Sequence, residues 1–341
     1  MPKPYLADLQ KSTNDTVSAA DILGSGRRAP PHLAAASRGQ AYPLTVSDRR
    51  SYLLLVVVLV VWAGNFPLGK LALTEVGPLF LVGGRTLMAA PLLLGLARLS
   101  APLERPLLRR DYVAFAVLGL TGLVLNTTTW YWGLKWTTAL NAGILGAASP
   151  IFMALGAALL LGERLRARTW AGIALTVAAV VLTVAKGSLS VLLELAVNRG
   201  DLIILLSQTA WVAYSLYSRV AASTLPPVWV MGGANAVGAV VLVPLSWLID
   251  GPWPSPVAAP IGWGVMVYGA IPITIAHLWY YQVIRRLGPG RTAAFLNLMP
   301  FVVIGMSWVL LGEAVHAYHL AGAVLVIAGV VLTTHRATSS S

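Results

Sequence analysis

Residues 148–163 read ASPIFMALGAALLLGE and residues 298–313 read LMPFVVIGMSWVLLGE, so a proline and a Gly-Glu pair recur at one spacing. Pro150 and Pro300, Gly162 and Gly312, Glu163 and Glu313, and Gly172 and Gly322 are each 150 positions apart. The run Val180-Val181-Leu182-Thr183 returns as Val330-Val331-Leu332-Thr333. Upstream the offset is 149: Trp62 answers Trp211, Gly83-Gly84 answers Gly232-Gly233, and Lys70 answers Arg219. Two collinear blocks with a single one-residue slip mark a duplicated unit. The fold must therefore be assembled from two copies of one module.

Composition sets what that module is. The 341 residues are 57% apolar and 11% charged, with a mean hydropathy of +0.76. Soluble domains carry roughly 25% charged residues, so this chain has too little polar surface to face water. A bilayer crossing needs about 20 apolar residues as a helix. Charge-poor stretches of that kind lie near 52–73, 77–98, 112–134, 138–161, 168–185, 201–219, 227–249, 261–284, 291–312 and 317–334. Long uniform runs are helices and not the alternating strands of a barrel. The fold class is an all-α polytopic membrane protein of ten transmembrane helices. There is no cysteine, so disulfides, thiolate metal sites and cysteine nucleophiles are excluded. Residues 1–50 are rich in Ser, Ala, Pro and charge and read as a disordered basic tail, not as a cleaved leader.

Charge gives the orientation. On one side fall the tail cations Lys3, Lys11, Arg27, Arg28, Arg38, Arg49 and Arg50, then Arg98, Arg105, Arg109, Arg110, Arg164, Arg166, Arg168, Arg219, Arg285, Arg286, Arg291 and Arg336. The other side receives Lys135, Lys186 and Arg199, with Lys70 and Arg85 inside helices. The positive-inside rule places both termini in the cytoplasm and accounts for the net charge of +12 without nucleic acid. The connection before the third helix carries four arginines, whereas its partner, Asp250 to Pro260, carries none. An odd number of helices per copy inverts the second copy, and equivalent loops then show opposite charge bias. The domains are a tail over 1–50, a five-helix repeat over 51–186, a periplasmic linker over 187–200, an inverted repeat over 201–336 and a short C-terminal tail over 337–341. Duplicated apolar halves of this kind are the usual build of secondary transporters.

The Trp-Ala-Gly-Asn-Phe run of the first helix (Trp62 to Phe66), the Gly84-Arg85 pair of the second and the two Pro-x11-Gly-Glu blocks resemble the EamA family of the drug/metabolite transporter superfamily. The resemblance spans residues 52–336. It implies a ten-helix carrier with a central cavity between its halves, and exporters of amino acids or related metabolites are common in that family. A bacterial inner (plasma) membrane location follows from the resemblance and from the Ala-, Arg- and Gly-rich composition.

Polar and aromatic side chains within the spans are the candidate site. Trp62 and Asn65 share a face of the first helix. Trp130 (with Asn126 and Tyr131), Trp211 and Tyr214 (with Gln208), His277 and Tyr281 (with Tyr280), and Asn297 lie on others. Such sets suit an amphipathic ligand; alternatively, aromatic residues anchor helix ends at the membrane interface, the reading preferred for Trp132, Trp136 and Trp253. Arg85 would meet a substrate carboxylate or be held by helix-end carbonyls and Glu75. Lys70 is near a helix end and can snorkel. His277 titrates near neutrality when free, at about 6.5, which makes it the proton-coupling candidate; a neutral hydrogen-bonding histidine is the plainer reading. Pro150 and Pro300 are hinge candidates, each removing one intrahelical bond, or static kinks.

Other classes fit less well. An intramembrane enzyme needs a nucleophile-base pair or histidine cluster, and His316 and His319 have no acidic third ligand in sequence. A channel needs a continuous polar lining. Sugar-phosphates or nucleotide-sugars call for several cations, where only Lys70 and Arg85 lie in spans; drug-like cations are a further class. No phosphate-binding loop of GxxxxGK[ST] type occurs, so gradients or a partner must drive the process. No cofactor and no metal is expected. The implied partners are a small-molecule substrate, the lipid bilayer and coupling protons, while the oligomeric state is open.

Overall fold

The computed structural model describes residues 46–161, 165–188, 190–191, 197–222, 225–288, 292 and 295–334. Gly162, Glu163 and Arg164, Arg291, Arg336 and most of the tail lie outside the described residues, as do the side chains of Arg219, Tyr281 and Arg285. Helix α1 is Val46–Ala72 and α2 is Pro78–Ser100. Helix α3, Arg109–Leu118, continues through a π-helical stretch, Gly119–Thr127, into α4, Thr128–Trp136. Then come α5 (Ala139–Ala147), α6 (Ser149–Leu161) and α7 (Ala167–Val184). The second half holds α8 (Arg199–Ala222), α9 (Pro227–Ile249), α10 (Pro260–Ala270), α11 (Pro272–Leu287), α12 (Met299–Leu311) and α13 (Ala317–Thr334). No strand occurs among the described residues.

Seven of these stretches are long and apolar enough to cross a bilayer. Helices α12 and α13 are apolar but shorter. Helix α8 is outside the seven, its apolar run being broken by Ser207, Gln208, Thr209, Tyr214 and Ser215. Proline opens α2, α9, α10, α11 and α12, where its missing N–H has no intrahelical partner to lose. Helix α5 is capped by Thr138, whose hydroxyl accepts from Asn141 N at 3.1 Å.

The duplication is visible in the packing. A Cβ on Gly83 of α2 would lie 3.2 Å from the backbone of Leu242 and 3.4 Å from Val243 N of α9. A Cβ on Gly232 of α9 would lie 2.9 Å from Leu94 of α2. As numbering rises along α2 it falls along α9, so the two run antiparallel. Since 83 and 232, and 94 and 243, differ by the same 149, the two contacts are one contact made twice. Helices α7 and α13 repeat the arrangement: Gly172 abuts Thr333 and Gly322 abuts Thr183. Thr183 donates to Ala179 O and Thr333 to Gly329 O, each at 2.8 Å. Glycine at these crossings lets backbones approach where no hydrophobic force acts between helices in lipid.

A large apolar cluster ties the halves together. Phe80 and Leu81 of α2, Tyr131 and Leu134 of α4, Leu145 of α5, Ile204 of α8, Leu242 of α9 and Met266 of α10 are all buried in it. A second cluster packs Leu93 and Ala97 of α2 and Phe115 of α3 against Trp229 and Val230 of α9.

Candidate substrate site

Helix interruptions come in matched places. Helix α5 gives way to α6 at Ala148 (φ −74°, ψ −7°), and α12 is preceded by Leu298 (φ −77°, ψ −9°). These positions are 150 apart, and Pro150 and Pro300 sit in the first turn of the helix that follows. The expectation that each proline removes a bond from a continuous helix is corrected here. A first-turn proline has no such bond to lose, because the helix has already been restarted. The stretch expected as one helix over 261–284 is also divided, at Ile271 (φ −106°, ψ −69°), with Pro272 opening α11. Its counterpart in the first half is the π-helical stretch, where Thr127 and Thr128 hydroxyls donate to Gly122 O and Leu123 O at 2.7 and 3.2 Å.

Beside the Ile271 break, His277 Nδ1 lies 2.7 Å from Ile273 O. A carbonyl only accepts, so this nitrogen carries the hydrogen and Nε2 is left as an acceptor. The Trp62 ring lies 4.7 Å from the imidazole and 5.0 Å from Tyr280, centroid to centroid. Its indole Nε1 is buried with no hydrogen-bond partner. Arg85 reaches the same place from α2. Its Cδ is 3.2 Å from where a Cβ on Gly269 would sit, two residues before the Ile271 break. Arg85 is half-buried and makes no ion pair or hydrogen bond among the described residues. The expected clamp on Arg85 by Glu75 and helix-end carbonyls is therefore corrected. Glu75 instead accepts from Gly262 N at 2.8 Å, in the first turn of α10, where free N–H groups and the helix dipole favour a carboxylate.

Asn65 belongs to a neighbouring group: its Oδ1 accepts from Tyr131 OH at 2.9 Å. Trp130 stands edge-on to Phe66 and to Tyr131, with centroids 5.0 Å apart in both cases. Phe66 faces Gly146, two residues before the Ala148 break. On α8, Trp211 stacks on Tyr214 at 5.3 Å, and Gln208 Oε1 accepts from Ser149 Oγ at 2.7 Å. The two tryptophans equivalent in sequence thus differ, Trp62 lying on an imidazole while Trp211 is 36% exposed. Asn297 lies in the turn before α12, half-buried and without a hydrogen bond among the described residues. Tyr281 falls on α11, with its side chain outside the described residues.

Buried polar ties gather at the end of the bundle that holds Thr137. Lys70 Nζ donates to Leu134 O, Lys135 O and Thr137 O at 2.8, 3.1 and 2.5 Å, closing the carbonyl end of α4. Glu313 accepts from Ala139 N and Leu140 N at 2.8 and 3.0 Å, closing the amide end of α5. Asp201 is fully buried, with Thr137 Oγ1 donating to it and Asn141 Nδ2 at 3.1 Å. Sequence reasoning missed this carboxylate. Its only signal was an acid in the first turn of an apolar helix, flanked by Gly200. Arg199 lies over the Trp136 ring, so that tryptophan is part of the same end. His319 is buried with Nδ1 accepting from His316 N at 3.0 Å, and no group able to hold a metal ion occurs among the described residues.

Known proteins share this organisation. The EamA-like transporter family matches twice, over residues 49–185 and 198–335. An uncharacterized transporter of Bacillus subtilis, YyaM, is 27% identical over 82% of this chain and 92% of its own. A protein of Streptantibioticus cattleyicolor, described as a probable terminal-alkyne amino-acid exporter, is 31% identical over 83% of this chain and 92% of its own. A probable amino-acid metabolite efflux pump of Salmonella typhimurium is 25% identical over 83% and 94%. One solved crystal structure shares the fold with a TM-score of 0.55 at 20% identity, over 84% of this chain and 97% of that one. With both halves matched and the helices apolar, the chain is a multi-pass membrane transporter and belongs to the EamA-like transporter family.

Proposed function

We propose that the protein is a gradient-driven exporter of amino acids or related small metabolites, working by alternating access around a central cavity. Ten crossings form two inverted five-helix repeats, 51–186 and 201–336, in a bacterial plasma membrane with both termini cytoplasmic. The Thr137 end then faces outward. The observation that carries the reading is Arg85, a half-buried arginine without a partner among the described residues, packed on Gly269 next to the break that precedes His277 and Tyr280. An intramembrane charge is retained only for a reason, since insertion at a helix centre costs about 2.5–3.5 kcal/mol. A substrate carboxylate supplies that reason, and the helix starts at Ser149, Pro272 and Met299 add positive dipole ends. The names of the two exporter relatives agree with this class. Phosphorylated sugars are disfavoured because the ammonium of Lys70 is already occupied by carbonyls.

An efflux screen tests the reading: cells overexpressing the protein are compared with empty-vector cells for resistance to toxic amino-acid analogues and for excreted metabolites. Resistance to at least one analogue is expected; identical profiles across the panel overturn the exporter. Coupling through His277 has its own test. His277→Ala should abolish pH-driven uptake into everted vesicles yet leave substrate exchange intact, and an unchanged pH dependence rejects that role.

A further inference from the structure

We infer that the substrate is a net monoanion, an amino-acid-sized carboxylate with an apolar tail whose amine is acylated or absent. This rests on the exporter reading and narrows its substrate class. The accounting of acids carries it. The sequence holds twelve Asp and Glu. Asp8, Asp15, Asp21, Asp48, Glu163 and Glu194 lie outside the described side chains, and Glu104 is exposed in the connection before α3. Asp111 is taken by Arg105 at 2.6 Å. Glu75 accepts from Gly262 N, Asp250 from Phe80 N and Glu313 from Ala139 N and Leu140 N, while Asp201 is held by Thr137 and Asn141. Among the described residues no acid is left to face the Arg85 site.

The site gathers Trp62 from α1, Arg85 from α2 against Gly269, and His277 and Tyr280 from α11, with Tyr268 of α10 bonded to Val61 O. A zwitterion must shed water from both of its charges, and its ammonium would face the Arg85 guanidinium with no carboxylate among the described residues to balance it. A monoanion meets Arg85 in the two-pronged geometry that guanidinium favours. Its acyl or keto oxygen suits the Trp62 Nε1 hydrogen, the buried donor that lacks an acceptor, and its tail suits the Trp62 and Tyr280 rings.

The test is counterflow in proteoliposomes holding the purified full chain, with matched trios of probes. For leucine, methionine and phenylalanine side chains, the free amino acid, its N-acetyl derivative and its 2-oxo acid are compared. Exchange of N-acetyl or 2-oxo acids at least about 10-fold faster than the free amino acid is expected. Arg85→Gln should lower that exchange about 10- to 100-fold, the worth of a charge-assisted hydrogen bond, with Arg85→Lys falling between. Faster exchange of the free amino acid overturns the monoanion inference and leaves the exporter standing. No exchange of any trio overturns both. Exchange of the N-acetyl acid unaffected in a monodisperse Arg85→Gln variant overturns the role given to Arg85. Should that variant not fold, the wild-type comparison of trios still decides.

Discussion

Trp62 and Asp201 show how differently two buried polar residues can behave. The indole Nε1 of Trp62 has no partner among the described residues, whereas the Asp201 carboxylate holds two donors from the first half. Removing an unpaired donor costs the fold little, so Trp62→Phe should melt within about 1 kcal/mol of wild type. Substrate affinity should fall about 10-fold if that hydrogen meets the ligand. Thermal unfolding in detergent and counterflow KM separate the two, and an unaltered KM sinks the ligand contact. Asp201→Ala is the converse case. It strands Thr137 and Asn141 in a buried setting, at about 1–3 kcal/mol per unpaired donor. Asp201→Asn keeps an acceptor and should cost less. Melting of the alanine variant at the wild-type temperature contradicts the role.

Residue chemistry was partly legible before any coordinates. Trp62, His277 and Arg85 were singled out by type and depth, and the fold brings them to one place. Their partners were not legible, because each partner comes from a distant segment. Glu75 was the natural guess for Arg85, being ten residues away, yet it pairs with Gly262. Glu313 caps a helix from the other half, across 174 positions. Local sequence carries no record of such pairings. Tyr280 was read beside Tyr281, yet the ring on Trp62 is that of Tyr280.

At the scale of elements, breaks matter more than lengths. Pro150 and Pro300 gave away two of them through their symmetric placement, and Pro272 carried a signal that the uniform apolar run around it obscured. The π-helical stretch had no such marker; threonines also occur in ordinary helices, where the hydroxyl bonds three or four residues back and not five as here. The first-turn prolines make a test of hinging possible. In Pro150→Ala and Pro300→Ala the ring that fixes φ in the first turn after Ala148 or Leu298 is lost, and the break is no longer held in one geometry. The exchange rate should drop about 10-fold or more while substrate affinity and melting stay near wild type. Unchanged exchange in both variants would reduce the prolines to fixed kinks.

For the whole molecule, the central feature is that equivalent helices meet each other. Helix α2 packs on α9 and α7 on α13, antiparallel in the first pair and with contacts repeating at the module's own period in both. Antiparallel equivalents require a two-fold axis across the helices and not along them. On the proposed reading that geometry turns the second copy upside down in the bilayer, in keeping with four arginines in one connection and none in its counterpart. The Arg85 site borrows α1 and α2 from one copy and α11 from the other, so neither half alone completes it.

The absence of cysteine permits the direct test of this inversion. Glu104 and Ser255 are exposed and lie in equivalent connections, before α3 and before α10. Glu104→Cys and Ser255→Cys, made singly, are labelled in intact cells with a membrane-impermeant maleimide before and after permeabilisation. Inverted halves predict that Ser255→Cys reacts in intact cells and Glu104→Cys only once the membrane is opened. Both cysteines reacting from the same side would contradict the account.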